Sequence, residues 1–568
     1  MEKWVKRILL VLEKAGKKGM SFSKLEKKCK VQKGDAKKFK AALARCLAEG
    51  SVSESDGRYL AVQSLGLIPA AVSRLHKTYG FAVLQDGREV FVLGSRLKGS
   101  LPGDKVLIKL SAHPKGNLPE GEVRRIVEES DNEYPGVLEV NSQGSFFVPD
   151  ALGGFALRVM GAKCGAENGD KVTARIIRRG DSHRDHLAEI TACYGSSENA
   201  AACAQAVIAA AGISPEFPAA VLDEARFLEH RGIPERELAN RLDLRGDCIF
   251  TIDGADSKDL DDAVSLEKYS SFYQLGVHIA DVSHYVKPHS LLDEEAFARG
   301  TSVYYADQVI PMLPKALSNG ICSLNPQEER LAFSALMTIS PDGELLDFTF
   351  RKTVIRSRVK GVYSEVNALL DGSATEELRE KYREVLHVLP LMKELKDLRL
   401  ALRKKRGAPA IESAESKLIL DEKGRTIDVK PRVTGEAESI IEEFMLLANQ
   451  SAASLARELQ IPFVYRVHEH PAPDRISDLR ETLQKLGLPA KNLPEKVSPA
   501  DLAAILEEVK GKPLSPVVNR LVLRSMAKAR YSPAPLGHFG LVLEDYAHFT
   551  SPIRRYPDLT IHRILSSW

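Results

Sequence analysis

The chain has 568 residues, 44% of them hydrophobic and 28% charged, a composition typical of a globular protein with several domains rather than one core. No apolar stretch approaches the about 20 residues that a membrane-spanning helix needs, and the start lacks the apolar core of a signal peptide. Its seven scattered cysteines include no C-x-x-C pair, so we expect reduced thiols, a cytoplasmic location and no membrane contact.

The net charge of +3 is unevenly distributed, because residues 1–50 hold 15 Lys and Arg against 5 Asp and Glu. In the same segment, apolar residues at helical spacing predict three short helices, and a strand pair around Asp56-Gly57 follows. The apolar positions are Trp4, Ile8, Leu9, Leu12, Leu25, Phe39, Leu43 and Leu47. This order predicts a basic winged-helix-like module over residues 1–64 that binds a polyanion; the alternative is an ordinary helical cap with a solvated lysine face.

A strand pattern replaces the helical one over residues 65–195, and it occurs twice. Gly103-Asp104-Lys105-Val106 corresponds to Gly169-Asp170-Lys171-Val172, and Val90-Phe91-Val92 to Phe146-Phe147-Val148. We therefore predict two OB-fold, cold-shock-like barrels at 65–127 and 128–195. In the first, Phe81 and Phe91 are predicted to stack on unpaired bases and Lys77 to meet phosphate; the alternative places both phenylalanines in the barrel core.

The remaining chain has two parts. An alanine-rich segment at 196–240 predicts a helical connector, broken by Pro215 and Pro218. From 241 to 568, strands and long helices alternate and predict one large mixed α/β domain, with Leu275, Val277 and Ile279 on one strand. The predicted fold class is thus multi-domain α+β, with a winged helix, two barrels and this large domain.

Five aspartates lie within ten positions of that domain: Asp253, Asp256, Asp259, Asp261 and Asp262. A strand ending at Asp253, a turn at Gly254 and a strand from about Leu260 would gather their carboxylates, which repel one another unless cations neutralise them. All-oxygen ligands with no Cys or His motif nearby favour Mg²⁺, with Mn²⁺ as a substitute. A pair of such metals fits phosphodiester hydrolysis. The alternatives are an aspartate-rich loop with Asx turns or a calcium loop, and the EF-hand spacing is absent.

The stretch TIDGADSKDLDDAV at 251–264 resembles the signature of the ribonuclease II/ribonuclease R (RNB) family, in its nuclease domain. Further matches follow in the family's order: VHIADVS at 277–283, RGTSVY at 299–304, VIPMLP at 309–314, LSNGICSLNP at 317–326, IEEFMLLAN at 441–449, YRVHE at 465–469, GHFG at 537–540 and HFTSPIRRYPD at 548–558. The modules in front also match the family's order, and the winged-helix-like start and SPIRRYPD are closer to its ribonuclease R branch.

The resemblance implies a processive 3′-to-5′ exoribonuclease that releases nucleoside 5′-monophosphates from single-stranded RNA or RNA with a 3′ overhang, structured RNA included. It implies that the metal ligands and catalytic carboxylates are Asp253, Asp259, Asp261 and Asp262, and that Arg554 contacts the scissile phosphate. The implied substrate contacts are Tyr304 on a base near the 3′ end, with Tyr305 as its alternative; Arg555 on a neighbouring phosphate; and Glu443, or its neighbour Glu442, on the 3′ nucleotide.

Some family positions have a plainer interpretation. Glu442 and Glu443 lie on an apolar helix, where a buried ion pair is the alternative, and His278, His468, His538 and His548 are each interpreted as structural histidines. Relatives also continue for several tens of residues beyond the helix after Arg554, so we expect the nuclease domain to be C-terminally incomplete. The competing function is therefore a non-catalytic or weakly active RNA-binding or remodelling protein. A DNA-binding regulator would leave the carboxylates without a role.

Overall fold

The computed structural model describes residues 2–55, 57–111, 119–305, 308–411, 416–421, 425–431, 434–488 and 493–568. The chain divides into two compact units, Met1–Ser214 with Ile419–Asp428 and Pro215–Leu418 with Val429–Trp568. Among the helices of the described ranges, none combines the length and the apolar run that crossing a bilayer requires.

The first unit begins with a winged helix, as predicted. Its elements are α1 (Glu2–Ala15), β1 (Met20–Ser21), α2 (Phe22–Lys28), α3 (Ala36–Ala48), β2 (Val52–Ser55) and β3 (Arg58–Ala61). The three strands form one sheet in the order β1-β3-β2. Ile8, Leu12, Leu25, Phe39 and Leu43 are buried together between the helices, so the helical spacing of apolar residues identified the core correctly. Asp56, in the predicted turn, lies outside the described residues.

Two closed five-stranded barrels follow. The first contains β4 (Ile68–Leu75), β5 (Tyr79–Leu84), β6 (Glu89–Leu93), β7 (Lys105–Leu110) and β8 (Glu120–Glu128). The second contains β9 (Glu133–Asn141), β10 (Gly144–Pro149), β11 (Leu157–Val159), β12 (Asp170–Arg178) and β13 (Leu187–Ser196). In each barrel the first strand pairs with the second and the fourth, and the third pairs in parallel with the fifth. The predicted repeat of two OB-type barrels is confirmed.

Strand alternation decides which aromatic side chains enter the barrel cores. Val90 and Val92 are fully buried, whereas Phe91 between them is half-buried on the outer face, 5.9 Å from Phe81 between ring centroids. The core alternative for Phe81 and Phe91 is therefore wrong. In the second barrel Phe147 is fully buried, so the predicted correspondence between Phe147 and Phe91 is wrong by one residue, which reverses the face.

The segment predicted as a connector contributes helices to both units. Helix α4 (Ala200–Ala210) packs on strands β9, β12 and β13 of the second barrel, and the Asn199 side chain caps it by accepting from Ala201 N at 2.8 Å. Helix α5 (Ala219–Arg231) lies in the second unit, where it packs on a helix of that unit.

The second unit alternates strands and helices, as predicted. After α5 come α6 (Glu235–Ala239), β14 (Leu242–Asp243), β15 (Thr251–Asp253), β16 (Asp262–Lys268), β17 (Tyr273–Ala280), α7 (Val282–Tyr285), α8 (Leu291–Arg299), β18 (Val303–Tyr305), β19 (Gln308–Ile310), β20 (Glu329–Ile339), β21 (Leu345–Arg356), β22 (Lys360–Val362), α9 (Tyr363–Asp371), α10 (Glu376–Lys381) and α11 (Leu389–Lys405). Then follow β23 (Ser416–Leu420), β24 (Thr426–Pro431), α12 (Glu436–Glu458), β25 (Tyr465–Val467), α13 (Pro473–Lys485), α14 (Pro499–Val509), α15 (Ser515–Ser525), β26 (Arg530–Ser532) and α16 (Tyr556–Ser566).

A five-stranded sheet with the order β14-β21-β20-β17-β16 forms the centre of this unit. Leu275, Val277 and Ile279 on β17 are buried in a cluster that includes residues of α11 and α12, as their alternation predicted. A second cluster includes Ala263 at the start of β16 and residues of α5 and α8. Residues of β15 and β16 and their neighbours pack into these two clusters, which holds in place the strand ends where the aspartates lie.

Candidate active site

The aspartate loop, residues 253–262, joins the end of β15 to the start of β16. Strand β15 pairs in parallel with β22, and Phe250 and Val264 exchange backbone hydrogen bonds at 3.1 and 2.9 Å, which closes the base of the loop. Asp253 is the last residue of β15 and Asp262 the first of β16. The predicted arrangement of strand, glycine turn and strand is confirmed.

Two side chains from distant parts of the chain fix the course of the loop. Ser323 Oγ accepts from Leu260 N at 3.0 Å and donates to the Lys258 carbonyl at 2.8 Å. Lys360 Nζ donates to the carbonyl of Ser257 at 2.6 Å. Neither residue is identifiable from the sequence pattern: Ser323 lies within a family match but carries no signal of its contact, and Lys360 lies outside every match.

Burial raises the pKa of three carboxyl groups in the loop. Asp261 is only 4% exposed, and burial raises its pKa to about 8. For Asp253, burial and then the charge of Asp259 raise the pKa to about 6. The pKa of Asp262 is raised well above its ordinary value, by burial and then by the charges of Asp253 and Asp261. In these three carboxyl groups burial therefore disfavours the charged form, which a bound cation would stabilise.

Two carboxylate oxygens of the loop have no hydrogen-bond donor, which bears on whether the loop could bind a cation. Asp253 Oδ2 and Asp261 Oδ2 are buried and accept no hydrogen bond. The aspartates of the loop would offer a metal only oxygen ligands, the type that Mg²⁺ prefers. Within the described ranges, however, no group of three or more His, Cys, Asp or Glu side chains is already arranged to hold a metal ion. Carboxylate oxygens are thus suitable ligands for Mg²⁺, but a bound cation would have to draw the carboxylates together.

An arginine loop, residues 551–555, lies against the aspartates. Ile553 N donates to Asp261 Oδ1 at 2.8 Å, and Arg554 Nε lies 3.5 Å from Asp261 Oδ2. Buried Asp558 accepts from Ser551 N and from Arg555 Nη2, both at 2.8 Å. Burial raises the pKa of Asp558 to about 6, with Arg555 opposing it. In the sequence, Asp558 is only the last residue of the HFTSPIRRYPD match, which gives no sign of this organising role.

The arginine loop is also bonded to the segment that carries Tyr304. Ser302 N donates to the Arg554 carbonyl at 2.9 Å. Tyr304 Oη donates to Asp259 Oδ2 at 3.1 Å, yet the side chain is 52% exposed. Neighbouring Tyr305 instead donates to Gln308 Oε1 within the β18–β19 hairpin. The structure thus brings Tyr304, rather than Tyr305, to the aspartates.

Further predicted site residues lie on α12 and in the first unit. Glu443 is 3% exposed on α12 and pairs with Arg403 at 2.8 Å, which matches the buried ion pair considered as its alternative. Phe81, Phe91 and exposed Lys77 belong to the first unit, where Phe81 lies under the Arg74 guanidinium, 4.2 Å from ring centroid to Cζ.

The histidines have structural surroundings. His278 is fully buried between Ser265 Oγ at 3.0 Å and Ser334 Oγ at 2.8 Å, and burial lowers its pKa to about 3. His468 and His538 pack edge to face at 5.1 Å. These contacts agree with the interpretation of His278, His468 and His538 as structural histidines.

Comparison with known proteins places these features in a family. A family model described as the RNB domain matches residues 241–568, more than half of the chain, which therefore belongs to the RNB family. Ribonuclease R of Thermotoga maritima is 38% identical over 558 residues, covering 96% of this chain and 78% of that protein.

Two solved structures of one relative resemble this chain throughout most of its length. Mycoplasma genitalium RNase R in complex with ribose methylated single-stranded RNA has 29% identity and a TM-score of 0.78, covering 88% of this chain and 79% of that one. The same protein in complex with double-stranded RNA has 28% identity and a TM-score of 0.70, covering 83% and 80%. The order of winged helix, two barrels and RNB domain agrees with this similarity.

Proposed function

We propose that the chain is a processive 3′-to-5′ exoribonuclease that hydrolyses RNA to nucleoside 5′-monophosphates. The observation that carries the proposal is the contact between Arg554 and buried Asp261 at 3.5 Å, inside an RNB-family domain. The contact supports the proposal because a guanidinium, which suits phosphate, lies beside a carboxylate that we propose for hydrolysis. Relatives named ribonuclease R support the reaction class.

Arg554 and Arg555 would hold the phosphates around the scissile linkage. Arg554 Nη2 donates to Ser551 Oγ at 3.0 Å, and Arg555 is oriented by Asp558, so both guanidinium groups are constrained before substrate arrives. Such preorganisation avoids an ordering cost during the reaction. Tyr304 offers an exposed ring for stacking on a base near the 3′ end, with its hydroxyl fixed by Asp259. Glu443 is the proposed support for the 3′ nucleotide and is held by Arg403.

Asp253, Asp259, Asp261 and Asp262 are the proposed ligands of a pair of Mg²⁺ ions, with Mn²⁺ as a substitute. When bound, a divalent metal supplies Lewis-acid stabilisation of the charge that develops on the scissile phosphate. Asp253 Oδ2 and Asp261 Oδ2, which are buried and accept no hydrogen bond, support this assignment. Burial raises the pKa of Asp261 to about 8, so a bound divalent ion would also favour the charged form of this carboxyl group.

The proposed substrates are single-stranded RNA and RNA with a 3′ overhang, structured RNA included, in the cytoplasm. The outer face of the first barrel supports RNA binding, because Tyr79, Phe81 and Phe91 lie within 6 Å of one another and exposed Lys77 precedes them. Aromatic side chains on such a face stack on unpaired bases without strong sequence preference.

The decisive experiment is incubation of the purified chain with 5′-end-labelled single-stranded RNA and Mg²⁺. We expect progressive shortening from the 3′ end and nucleoside 5′-monophosphates as the released product. The second candidate is an RNA-binding protein without hydrolysis, which the lack of a preformed metal cage within the described residues favours. Persistent, shifted but intact RNA would support that candidate and reject the nuclease.

A further inference from the structure

A polar face formed by two short strands carries three side chains without a role in the proposed mechanism. Strands β25 and β26 pair antiparallel, with Arg466 directly opposite Tyr531. Cross-strand partners project from the same face, and the Arg466 guanidinium lies 4.8 Å from the centroid of the Tyr531 ring. His548 joins them, because its Nδ1 lies 2.9 Å from Tyr531 Oη. The subsite face is defined here as Arg466, Tyr531 and His548.

The charge of this face is not balanced. Arg530, beside Tyr531, pairs with Glu469 at 3.0 Å, and Arg554 and Arg555 pair with Asp261 and Asp558. Among the residues that the structure describes, Arg466 forms no ion pair with an Asp or Glu. The Arg466 guanidinium is half-buried and has no carboxylate partner, so it is suited to binding an anion. Its planar fork of N–H groups matches two phosphate oxygens.

The face also offers a surface for a base. Tyr531 is 37% exposed, and its hydroxyl is held by His548. Burial, followed by the charges of Arg555 and Arg466, lowers the pKa of His548 to about 3, so the imidazole is neutral and contributes a hydrogen bond rather than charge. A tyrosine ring layered with a guanidinium provides a planar, cationic surface of the kind on which unpaired bases stack.

The location connects this face to the candidate active site. Arg466 N donates to the Tyr546 carbonyl at 2.8 Å, so the segment that leads through His548 into the arginine loop runs beside β25. His548 precedes Arg554 by six positions. The charge of Arg555 acts on both Tyr531 and His548, so the same face lies near the arginine loop that is proposed to contact the scissile phosphate.

We propose that Arg466, Tyr531 and His548 form an RNA subsite that binds one backbone phosphate and stacks one base adjacent to the scissile linkage. The proposal rests on the proposed exoribonuclease function and extends it. Arg466 binds the phosphate, Tyr531 stacks on the base, and His548 orients the Tyr531 ring.

The test measures RNA binding without hydrolysis. The full chain is kept in EDTA, and fluorescence anisotropy gives its affinity for a fluorescein-labelled tetraadenylate RNA and for an abasic tetramer with the same backbone. We expect R466Q to weaken binding of both probes about tenfold and to reduce the slope of log K against log salt by about 0.7, the contribution of one phosphate contact on a single strand. Y531L should weaken binding of tetraadenylate about tenfold and leave the abasic probe unchanged.

Matched variants decide between a subsite and a structural effect. R530Q removes an arginine that is already paired with Glu469, so both affinities and the salt slope should stay at wild-type values. R466K keeps the charge but loses the planar fork, so it should keep the salt slope while weakening binding of both probes, which covers the case in which R466Q does not fold. Variants R466Q and R466K that both bind like R530Q, or a Y531L that weakens both probes equally, would overturn the subsite.

The outcome is independent of the proposed function. Release of mononucleotides by the wild-type chain in Mg²⁺, together with unchanged binding by R466Q and Y531L, would retain the nuclease and reject the subsite. Intact RNA in Mg²⁺, together with the expected binding losses, would reject the nuclease and retain an RNA-binding face.

Discussion

Asp261 Oδ1 accepts a hydrogen bond at 2.8 Å from the backbone N–H of Ile553, which lies 292 positions later in the chain. This bond joins the aspartate loop to the arginine loop, and the neighbouring contact between Arg554 Nε and Asp261 Oδ2 adds a charge pair. One carboxylate therefore sets the distance between the proposed metal ligands and the proposed phosphate contact.

Asp261→Asn should abolish hydrolysis while leaving RNA affinity largely intact. The amide oxygen can still accept from Ile553 N, but the negative charge is lost, so we expect activity to fall by more than about 100-fold, beyond the loss typical of an outer-shell partner. Mononucleotide release and RNA binding would be measured in parallel. Asp256→Asn is the matched control, because Asp256 is exposed in the same loop and stands outside the four-carboxylate pattern. Unchanged mononucleotide release by Asp261→Asn would refute the assignment.

In the metal-free chain, the contribution of Asp253 and Asp261 to stability should be lost as the pH rises from about 4 to about 8, measured as the difference between the wild-type chain and the Asp253→Asn/Asp261→Asn variant. The folded-state pKa values of Asp253 and Asp261, about 6 and about 8, exceed the unfolded value of about 3.9, so the folded state binds more protons in this window. The contribution of these two groups to the free energy of unfolding then falls with pH and is lost once the pH passes their folded pKa values.

Mg²⁺ should reverse that loss, since binding requires deprotonated carboxylates and strengthens with pH. Thermal unfolding in EDTA and in Mg²⁺ should show a larger stabilisation by Mg²⁺ at pH 8 than at pH 5.5. The double variant Asp253→Asn/Asp261→Asn should show neither effect. An equal effect of Mg²⁺ on wild type and double variant at both pH values would contradict this prediction.

Tyr304→Ala should leave longer final products than the wild-type chain, since the ring proposed to hold the base near the 3′ end is removed. Tyr304→Phe keeps the ring and loses only the hydrogen bond to Asp259, so its products should match the wild-type length. Tyr305→Ala serves as the control, because Tyr305 bonds to Gln308 within its own hairpin. Denaturing gels of end-labelled RNA give the lengths. Longer products from Tyr305→Ala alone would transfer the role to Tyr305.

Asp558→Asn should slow turnover at least about tenfold by freeing the Arg555 side chain, and it should destabilise the chain by about 1–3 kcal/mol. Asp281→Asn is the comparison, because Asp281 is equally buried and pairs with Arg241 and Lys352 at 2.8 and 2.7 Å rather than with an arginine of residues 551–555. Single-turnover rates would be measured at a temperature at which both variants are folded. Equal slowing in the two variants would show that Asp558 has only a structural role.

The sequence predicted those features that depend on local pattern. Helical spacing of Phe39 and Leu43 located a core, alternation of Val277 and Ile279 located a strand, and the density of aspartates located the loop from Asp253. Each of these signals arises from residues a few positions apart, where the 3.6 and 2.0 periodicities apply.

Long-range pairing was not predictable in the same way. The order of the five-stranded sheet, the bond from Lys360 to the aspartate loop and the bonds of Asp558 depend on partners that periodicity does not identify. Face assignment also failed at Phe147, because a shift of one residue along a strand reverses the side on which a ring lies. The family resemblance supplied the residues of the candidate site but not the contacts that orient them.

The most direct test of the central claim is a crystal structure of the chain soaked with Mn²⁺ and a non-hydrolysable RNA, with the metal located by anomalous scattering. We predict two Mn²⁺ peaks coordinated by oxygens of Asp253, Asp259, Asp261 and Asp262, with Arg554 on the phosphate between the last two nucleotides. A structure in which RNA is bound but those carboxylates hold no metal and point apart would contradict the account.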